Sequence, residues 1–275
     1  MFTPIHVAQT LLKIRQNNPL IHNITNMVVM QFTANILLSL GASPAMINAK
    51  EEVQEFVQKA KALVINLGTI SAPQAQAILL AVKTASEHQI PWVMDPVGVG
   101  ACTYRSQIAV ELLNYHPTTI RGNASEIIAL YHYYTKQVTH HTGHGVDSKD
   151  QPEHALDAAK KLALSCQTIV SISGQTDYIT NGHQTIQVKN GHVMMTKVTG
   201  VGCSASAITA ACLAIEPDAL AASAHAMVLI GTAGDIAMKQ AKGPGSLQIA
   251  LLDTLYLLNE EQLLHYAKIQ LAKEG

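Results

Sequence analysis

The sequence predicts an α/β fold: a mostly parallel central sheet, helices on both faces and antiparallel strands at one edge. Three observations lead there. From Ala62 onward, short apolar runs alternate with helical patterns. Runs that are apolar throughout and bounded by turn residues suit strands covered on both faces, as in parallel sheets. Two Asn-Gly pairs, Asn181-Gly182 and Asn190-Gly191, break this rhythm in the second half. Asn-Gly between β-type runs marks a hairpin. Finally, 48% of the 275 residues are apolar and 13% are charged, which suits a well-buried globular chain.

The elements follow in order. Met1 to Pro19 has a polar helical pattern, and Ala62–Thr69 reads as a buried strand. Ala72–His88 is a helix, Pro91–Asp95 a strand, Ser106–Tyr115 a helix and Thr118–Asn123 a strand. Helices over Ala124–Tyr134 and Glu153–Ser165 lead to a strand over Thr168–Gly174. Tyr178–Thr180 and Gln184–Val188 form the first hairpin, and His192–Thr196 is expected as a further antiparallel strand. The rest is helical: Cys203–Ile215, Pro217–Gln240, Gly245–Asn259 and Glu260–Lys273. Gln137–Gln151 is the expected mobile loop. There is no internal repeat and no linker long enough to separate domains, so residues 1–275 read as one domain.

Composition narrows the function. Eighteen basic and 19 acidic residues give a net charge of −1, with no Lys/Arg run, so nucleic acid is not the expected partner. Aromatics, at 4%, offer no base-stacking platform. Cys102, Cys166, Cys203 and Cys212 form no C-x-x-C pair and read as reduced thiols of a cytoplasmic protein. The N-terminus lacks a signal-peptide core, and no apolar stretch reaches the roughly 20 residues of a membrane span, so no membrane is expected.

The most informative segment is Thr196–Ser206, which sets Gly200 and Gly202 just before Cys203 and an apolar helix. Free N–H groups and the positive dipole end at that helix start suit an anion. Bare glycines let a phosphate approach the backbone. The Gly200, Val201, Gly202 and Cys203 turn is therefore a candidate phosphate anion hole, and Cys203 there is expected to have a lowered thiol pKa. In open α/β sheets ligands sit at strand C-termini. Asp95, Arg121, Asn123, Glu126 and Ser173 fall at such ends. Asp95 and Glu126 supply hard oxygen ligands for Mg²⁺, and Arg121 a fork of donors for phosphate. Together these groups suit phosphoryl transfer. Walker A and G-x-G-x-x-G motifs are absent, which argues against a P-loop NTPase or a simple Rossmann dehydrogenase.

In order, the chain carries Pro19-Leu-Ile-His-Asn-Ile-Thr-Asn26, Gln31-Phe-Thr-Ala-Asn35, Gly41-Ala-Ser-Pro-Ala-Met46 and Asp95-Pro-Val-Gly-Val-Gly-Ala101. It continues with Ile120-Arg-Gly-Asn-Ala-Ser-Glu126, Gly145-Val-Asp-Ser148, Gly174-Gln-Thr-Asp-Tyr178, Lys197-Val-Thr-Gly-Val-Gly-Cys203 and Ala241-Lys-Gly-Pro-Gly-Ser246. In these pieces it resembles the hydroxyethylthiazole kinases of thiamin salvage, within the ribokinase-like superfamily. The resemblance implies ATP- and Mg²⁺-dependent phosphorylation of 4-methyl-5-(2-hydroxyethyl)thiazole on its hydroxyethyl oxygen, for thiamine diphosphate biosynthesis. It implies that Arg121 and Ser173 line the ATP site and that Met46 and Gly200 contact the thiazole, with Asn23 and Asn26 beside it. It also implies Asp95 and Glu126 in the metal and phosphate region, and a homotrimer with active sites near subunit boundaries. The family often has Thr at the Ser173 position and Thr or Ala at the Val201 position. Sugar-kinase relatives usually have Asp, the proposed base, where Cys203 stands, so Cys203 looks like its catalytic substitute.

Simpler readings stand beside these. Cys203 can pack a helix start, Asp95 can form a turn before Pro96, and Glu126 can be a solvated first-turn carboxylate. Met27 reads as a core residue, and the His132, His140, His141 and His144 cluster as a loop rather than a metal site. His22 either orients the N-terminal substrate loop or satisfies backbone groups. The functional alternatives are a kinase of another small alcohol such as hydroxymethylpyrimidine, and a non-catalytic thiazole-binding protein.

Overall fold

The computed structural model describes residues 2–139 and 152–272. Its strands are β1 (Leu20–Ile24), β2 (Ser43–Ala45), β3 (Ala62–Asn66), β4 (Trp92–Asp95), β5 (Thr119–Asn123), β6 (Ile169–Ser173), β7 (Asp177–Thr180), β8 (Thr185–Val188) and β9 (Ile269–Leu271). They form one sheet in the order β2-β1-β3-β4-β5-β6-β7-β8-β9. Pairing is parallel from β2 through β6 and antiparallel from β6 to β9. The parallel core and antiparallel edge match the expectation.

Every residue of β3 and β4 is buried, which explains why these runs are apolar without alternation. Neighbouring side chains still point to opposite faces. Val64 and Val93 join the core packed by α1 (Pro4–Asn17), α2 (Met30–Leu40), α8 (Val201–Leu213), α9 (Ala219–Met238) and α10 (Pro244–Leu257). Leu63, Ile65, Trp92 and Met94 join the other core, packed by α3 (Val53–Val57), α4 (Ala72–Glu87), α5 (Thr103–Leu113), α6 (Ala124–Thr139) and α7 (Pro152–Cys166). α8 is Ala- and Ser-rich and buried along most of its length, so its backbone comes close to the sheet.

Three expectations are corrected. Val193–Lys197 is a 3-10 helix rather than a strand, capped by His192, whose Nδ1 accepts from the Met194 N–H at 3.1 Å. The final helix, α11 (Glu260–Tyr266), stops short, and β9 pairs antiparallel with the open edge of β8. Edge pairing outweighs the local helical pattern there. Ala219–Met238 is long and apolar enough to cross a membrane by length and composition, contrary to the expected absence of such a stretch. It is a core helix, buried inside the protein along most of its length. The Gln137–Gln151 loop falls largely outside the described residues.

Candidate functional site

The C-terminal ends of β3 to β6 meet the start of α8. β3 and β4 end in register, with Asn66 opposite Asp95, and β5 and β6 end with Asn123 opposite Ser173. A buried hydrogen-bond chain links the β3 and β4 ends to α8. Asn26 Nδ2 donates to Asn66 Oδ1 at 2.8 Å and to Cys203 Sγ at 3.5 Å. Asn66 Nδ2 donates to Asp95 Oδ2 at 2.6 Å, and the Ser206 hydroxyl donates to the same oxygen at 2.9 Å. Asp95 is only 1% exposed. Burial raises its pKa to about 6, with the Glu126 charge adding to the rise, while Arg121 and the bonds from Ser206 and Asn66 oppose it.

The Cys203 thiol is also pushed up, to about 11. Burial is the main cause and the Asp95 charge the second. These outweigh the helix start, the bonds from Asn66 and Asn26, and Arg121, so the expected lowered pKa is overturned.

Gly200 caps α8 with φ +94°, and a Cβ there would lie 2.9 Å from Phe32 Cδ1. The first bond of α8 runs from the Ser204 N–H to the Gly200 carbonyl at 2.8 Å. The amides of Val201, Gly202 and Cys203 precede it and lie at the positive helix end. Arg121 Nη1 donates to the Gly202 carbonyl at 2.9 Å, and a Cβ on Gly202 would sit 3.1 Å from that nitrogen. Arg121 Nε is buried with no hydrogen-bond partner among the described residues. The guanidinium thus borders an opening with unused donor capacity, as anion binding requires.

That opening is a cleft of about 1000 Å³ between the Gly200–Gly202 turn and the Asn190–Thr196 loop. Arg121, Asn123, Ser173 and Asp177 line it. The Ser173 hydroxyl donates to the Gly122 carbonyl at 3.4 Å, a long bond that leaves it available. Asp177 Oδ1 accepts from the Gly174 N–H at 2.9 Å. Burial raises the Asp177 pKa to about 6, against that bond and the Arg121 charge.

Glu126 is not a solvated carboxylate. Its Oε1 accepts from the Gly98 N–H at 3.0 Å and its Oε2 from the Asn123 N–H at 2.9 Å. Asn123 Oδ1 in turn accepts from the Glu126 N–H at 2.9 Å, completing a capping box. Glu126 thereby holds the Pro96–Gly100 loop against the end of β5. Among the described residues no three His, Cys, Asp or Glu side chains form a metal cluster. Two carboxylates suit Mg²⁺, which is usually held by one or two carboxylates together with substrate phosphates.

The N-terminal candidates divide. Asn26 joins the buried chain, whereas Asn23 donates to the Ile21 carbonyl at 2.9 Å within its own strand. Met46 follows β2, and His22 Nε2 bonds the carbonyl of the next residue, Ile47, at 2.7 Å. His22 therefore ties β1 to the Met46 segment. Met27 is no core residue: it is 75% exposed and Val28 is 68% exposed. His132 is exposed on α6, and His140, His141, His144 and Gly145–Ser148 lie outside the described residues.

The model of the hydroxyethylthiazole kinase family matches residues 11–261. A hydroxyethylthiazole kinase from Granulibacter bethesdensis is 49% identical over 246 residues, covering 90% of this chain and 88% of that protein. The chain belongs to the hydroxyethylthiazole kinase family. The solved hydroxyethylthiazole kinase of Pyrococcus horikoshii OT3 superposes with a TM-score of 0.89 at 36% identity, covering 98% of this chain and 99% of that one. A ribokinase-like superfamily protein from Enterococcus faecalis superposes at 0.62 with 15% identity, over 90% of this chain and 89% of that one, which supports the ribokinase-like fold.

For this family member, sequence reasoning missed Asn66, Ser206 and Asp177 as site residues. Asn66 is the lone polar side chain ending an apolar strand, and a buried amide needs a partner. Asp177 follows the Gly174 turn at the start of β7, where its carboxylate caps that turn.

Proposed function

We infer that the protein transfers the γ-phosphoryl group of ATP to the hydroxyethyl oxygen of 4-methyl-5-(2-hydroxyethyl)thiazole, giving the thiazole phosphate and ADP for thiamin salvage. Family membership gives the activity, and one observation supports its location. The buried Asn26–Asn66–Asp95–Ser206 chain reaches Cys203 beside the glycine turn and the Arg121 cleft.

In this account ATP occupies the cleft, with its phosphates toward the Val201, Gly202 and Cys203 amides and Arg121. The unused Arg121 Nε donor and the Ser173 hydroxyl support that orientation. Thiazole takes the neighbouring region between Met46, Asn26 and Gly200. The hydroxyethyl oxygen attacks the γ-phosphorus, the bond to the β–γ bridging oxygen breaks, ADP leaves, and the hydroxyl proton passes by way of the phosphoryl oxygens to solvent. Backbone amides aimed at the transferring oxygens stabilise the charge that develops there. Asp95 and Glu126 would hold Mg²⁺ with the ATP phosphates, and the ion would supply charge neutralisation. At neutral pH Cys203 keeps its proton, so it steers the hydroxyl rather than taking its proton. A loose phosphoryl-transfer transition state needs little more.

The chain acts as one domain over residues 1–275 in the cytoplasm, as a homotrimer with active sites near subunit boundaries. The exposed Met27 and Val28, next to buried Asn26, support a neighbouring subunit covering that side. The test is ADP release from ATP and Mg²⁺ with the thiazole alcohol or hydroxymethylpyrimidine supplied separately. Thiazole-dependent release is expected. Release with the pyrimidine alone would overturn the substrate.

A further inference from the structure

One wall of the nucleotide cleft rests on a helix face built to receive it. Asn190, Gly191, His192 and Met195 line the cleft, together with Gly231 of α9. The anion-binding turn takes the phosphates at Gly200–Gly202, which leaves this wall for the base and ribose. Behind it α9 carries Gly231, Gly234 and Asp235, whose spacing sets them on one side of the helix.

The two glycines keep that side bare. A Cβ on Gly231 would lie 2.7 Å from Asn190 Cβ and 2.9 Å from its carbonyl, and one on Gly234 would lie 2.2 Å from Met195 Sδ. The loop therefore lies directly on helix backbone. Asp235 then grips it: Oδ2 accepts from Asn190 Nδ2 at 2.9 Å and Oδ1 from the Gly191 N–H at 3.1 Å.

Asn190 extends the grip. Its Nδ2 also donates to the Tyr266 carbonyl at 2.8 Å, and its Oδ1 accepts from the Lys268 N–H at 2.7 Å. Lys239, which caps the C-terminus of α9 one turn beyond Asp235, donates to the Tyr266 hydroxyl at 2.7 Å. All three Asn190 bonds point into the protein, so this side chain anchors the wall and does not read the base. Asp235 lies behind the wall rather than on it.

We propose that Asp235 is a positioning residue for the nucleotide: through Asn190 and Gly191 it fixes the wall against which the nucleoside packs. Affinity for ATP then depends on Asp235, and affinity for the thiazole alcohol does not. The inference rests on the cleft being the nucleotide site.

The test compares wild type with Asp235→Ala, Gly231→Ala and Lys268→Ala in KM for ATP, KM for the thiazole alcohol, kcat, calorimetric ADP binding and Tm. Asp235→Ala removes both bonds and is expected to raise KM for ATP and Kd for ADP on the order of tenfold. The thiazole KM and kcat should stay within about twofold. Gly231→Ala gains helix propensity but sets a Cβ 2.7–2.9 Å from Asn190 Cβ and backbone, so it should fold with a modestly lowered Tm while pushing Asn190 out and weakening ADP. That variant decides the matter if Asp235→Ala does not fold. Lys268→Ala breaks only a 3.8 Å ion pair on a side chain that is 61% exposed, and should bind ADP like wild type. ADP binding within about twofold of wild type in folded Asp235→Ala and Gly231→Ala would overturn the proposal. So would equal losses in both KM values and kcat. Wild-type protein that binds no ADP would overturn the nucleotide reading of the cleft, and this inference with it.

Discussion

The Asn66 amide donates to Asp95 Oδ2 at 2.6 Å while its own oxygen accepts from Asn26, so one side chain joins the loop after β1 to the buried carboxylate. Both ends depend on it. Asn66→Ala leaves Asp95 with the Ser206 bond alone and Asn26 with its long bond to Cys203 and the Val28 N–H. A hydrogen bond to a charged group contributes about 1.5–3 kcal/mol. Turnover should therefore fall on the order of tenfold to a hundredfold, with a lowered Tm. Unchanged kcat in a steady-state assay would count against this link.

Stability and activity should move in opposite directions on the acid side of neutral. Asp95 and Asp177 both have folded pKa values raised to about 6, above their ordinary 3.8. Between those values the folded state binds more protons than the unfolded state, so stability falls as pH rises through the window. Catalysis needs the Asp95 carboxylate, so kcat should fall as pH drops below about 6. Asp177→Asn keeps an acceptor for Gly174 and removes a buried charge. It should raise Tm at pH 8, with a smaller gain at pH 4.5 that vanishes only below about 3.8, where Asp177 is neutral in both the folded and unfolded states. Melting curves at the two pH values check the sign.

Gly200 has no adequate substitute. Gly200→Ala forces a side chain into the left-handed region at φ +94° and against Phe32. The backbone cost alone is about 1–2 kcal/mol. We expect a Tm drop of several degrees and a rise in KM for the thiazole alcohol. A Tm equal to wild type would show that the turn relaxes freely.

Cys203 should be slow to alkylate. With its thiol pushed up to about 11, almost none is thiolate at neutral pH. Exposed Cys102 should react with iodoacetamide first, as peptide mapping can follow. Cys203→Ala should slow turnover about tenfold without abolishing it. Fast labelling of Cys203, or complete loss of turnover in folded Cys203→Ala, would contradict the steering role.

Much of this was legible in the sequence, and the misses have a common cause. The apolar runs marked the parallel strands β3 to β6, though not β1 and β2, and Asp95, Arg121 and the Gly200–Cys203 turn stood out because each breaks an apolar context. Asn66 was less visible, since its role depends on strand register with Asp95. The Val193–Lys197 turn lies against Gly234 through Met195, and Gly234 is distant in sequence, so local alternation misled. β9 exists because β8 offers an edge, not because Ile269–Leu271 differs from a helix. The Cys203 thiol was misjudged because a helix start is visible in sequence and burial beside Asp95 is not.

The most direct test of the account is Asp95→Asn. This variant keeps the shape and can still accept a bond from Ser206, yet removes the charge at the centre of the buried chain. If that chain is the phosphoryl-transfer centre, kcat should fall on the order of a hundredfold or more, with Tm retained or raised. Near wild-type turnover by folded Asp95→Asn would move the chemistry away from the β4 end and contradict the account.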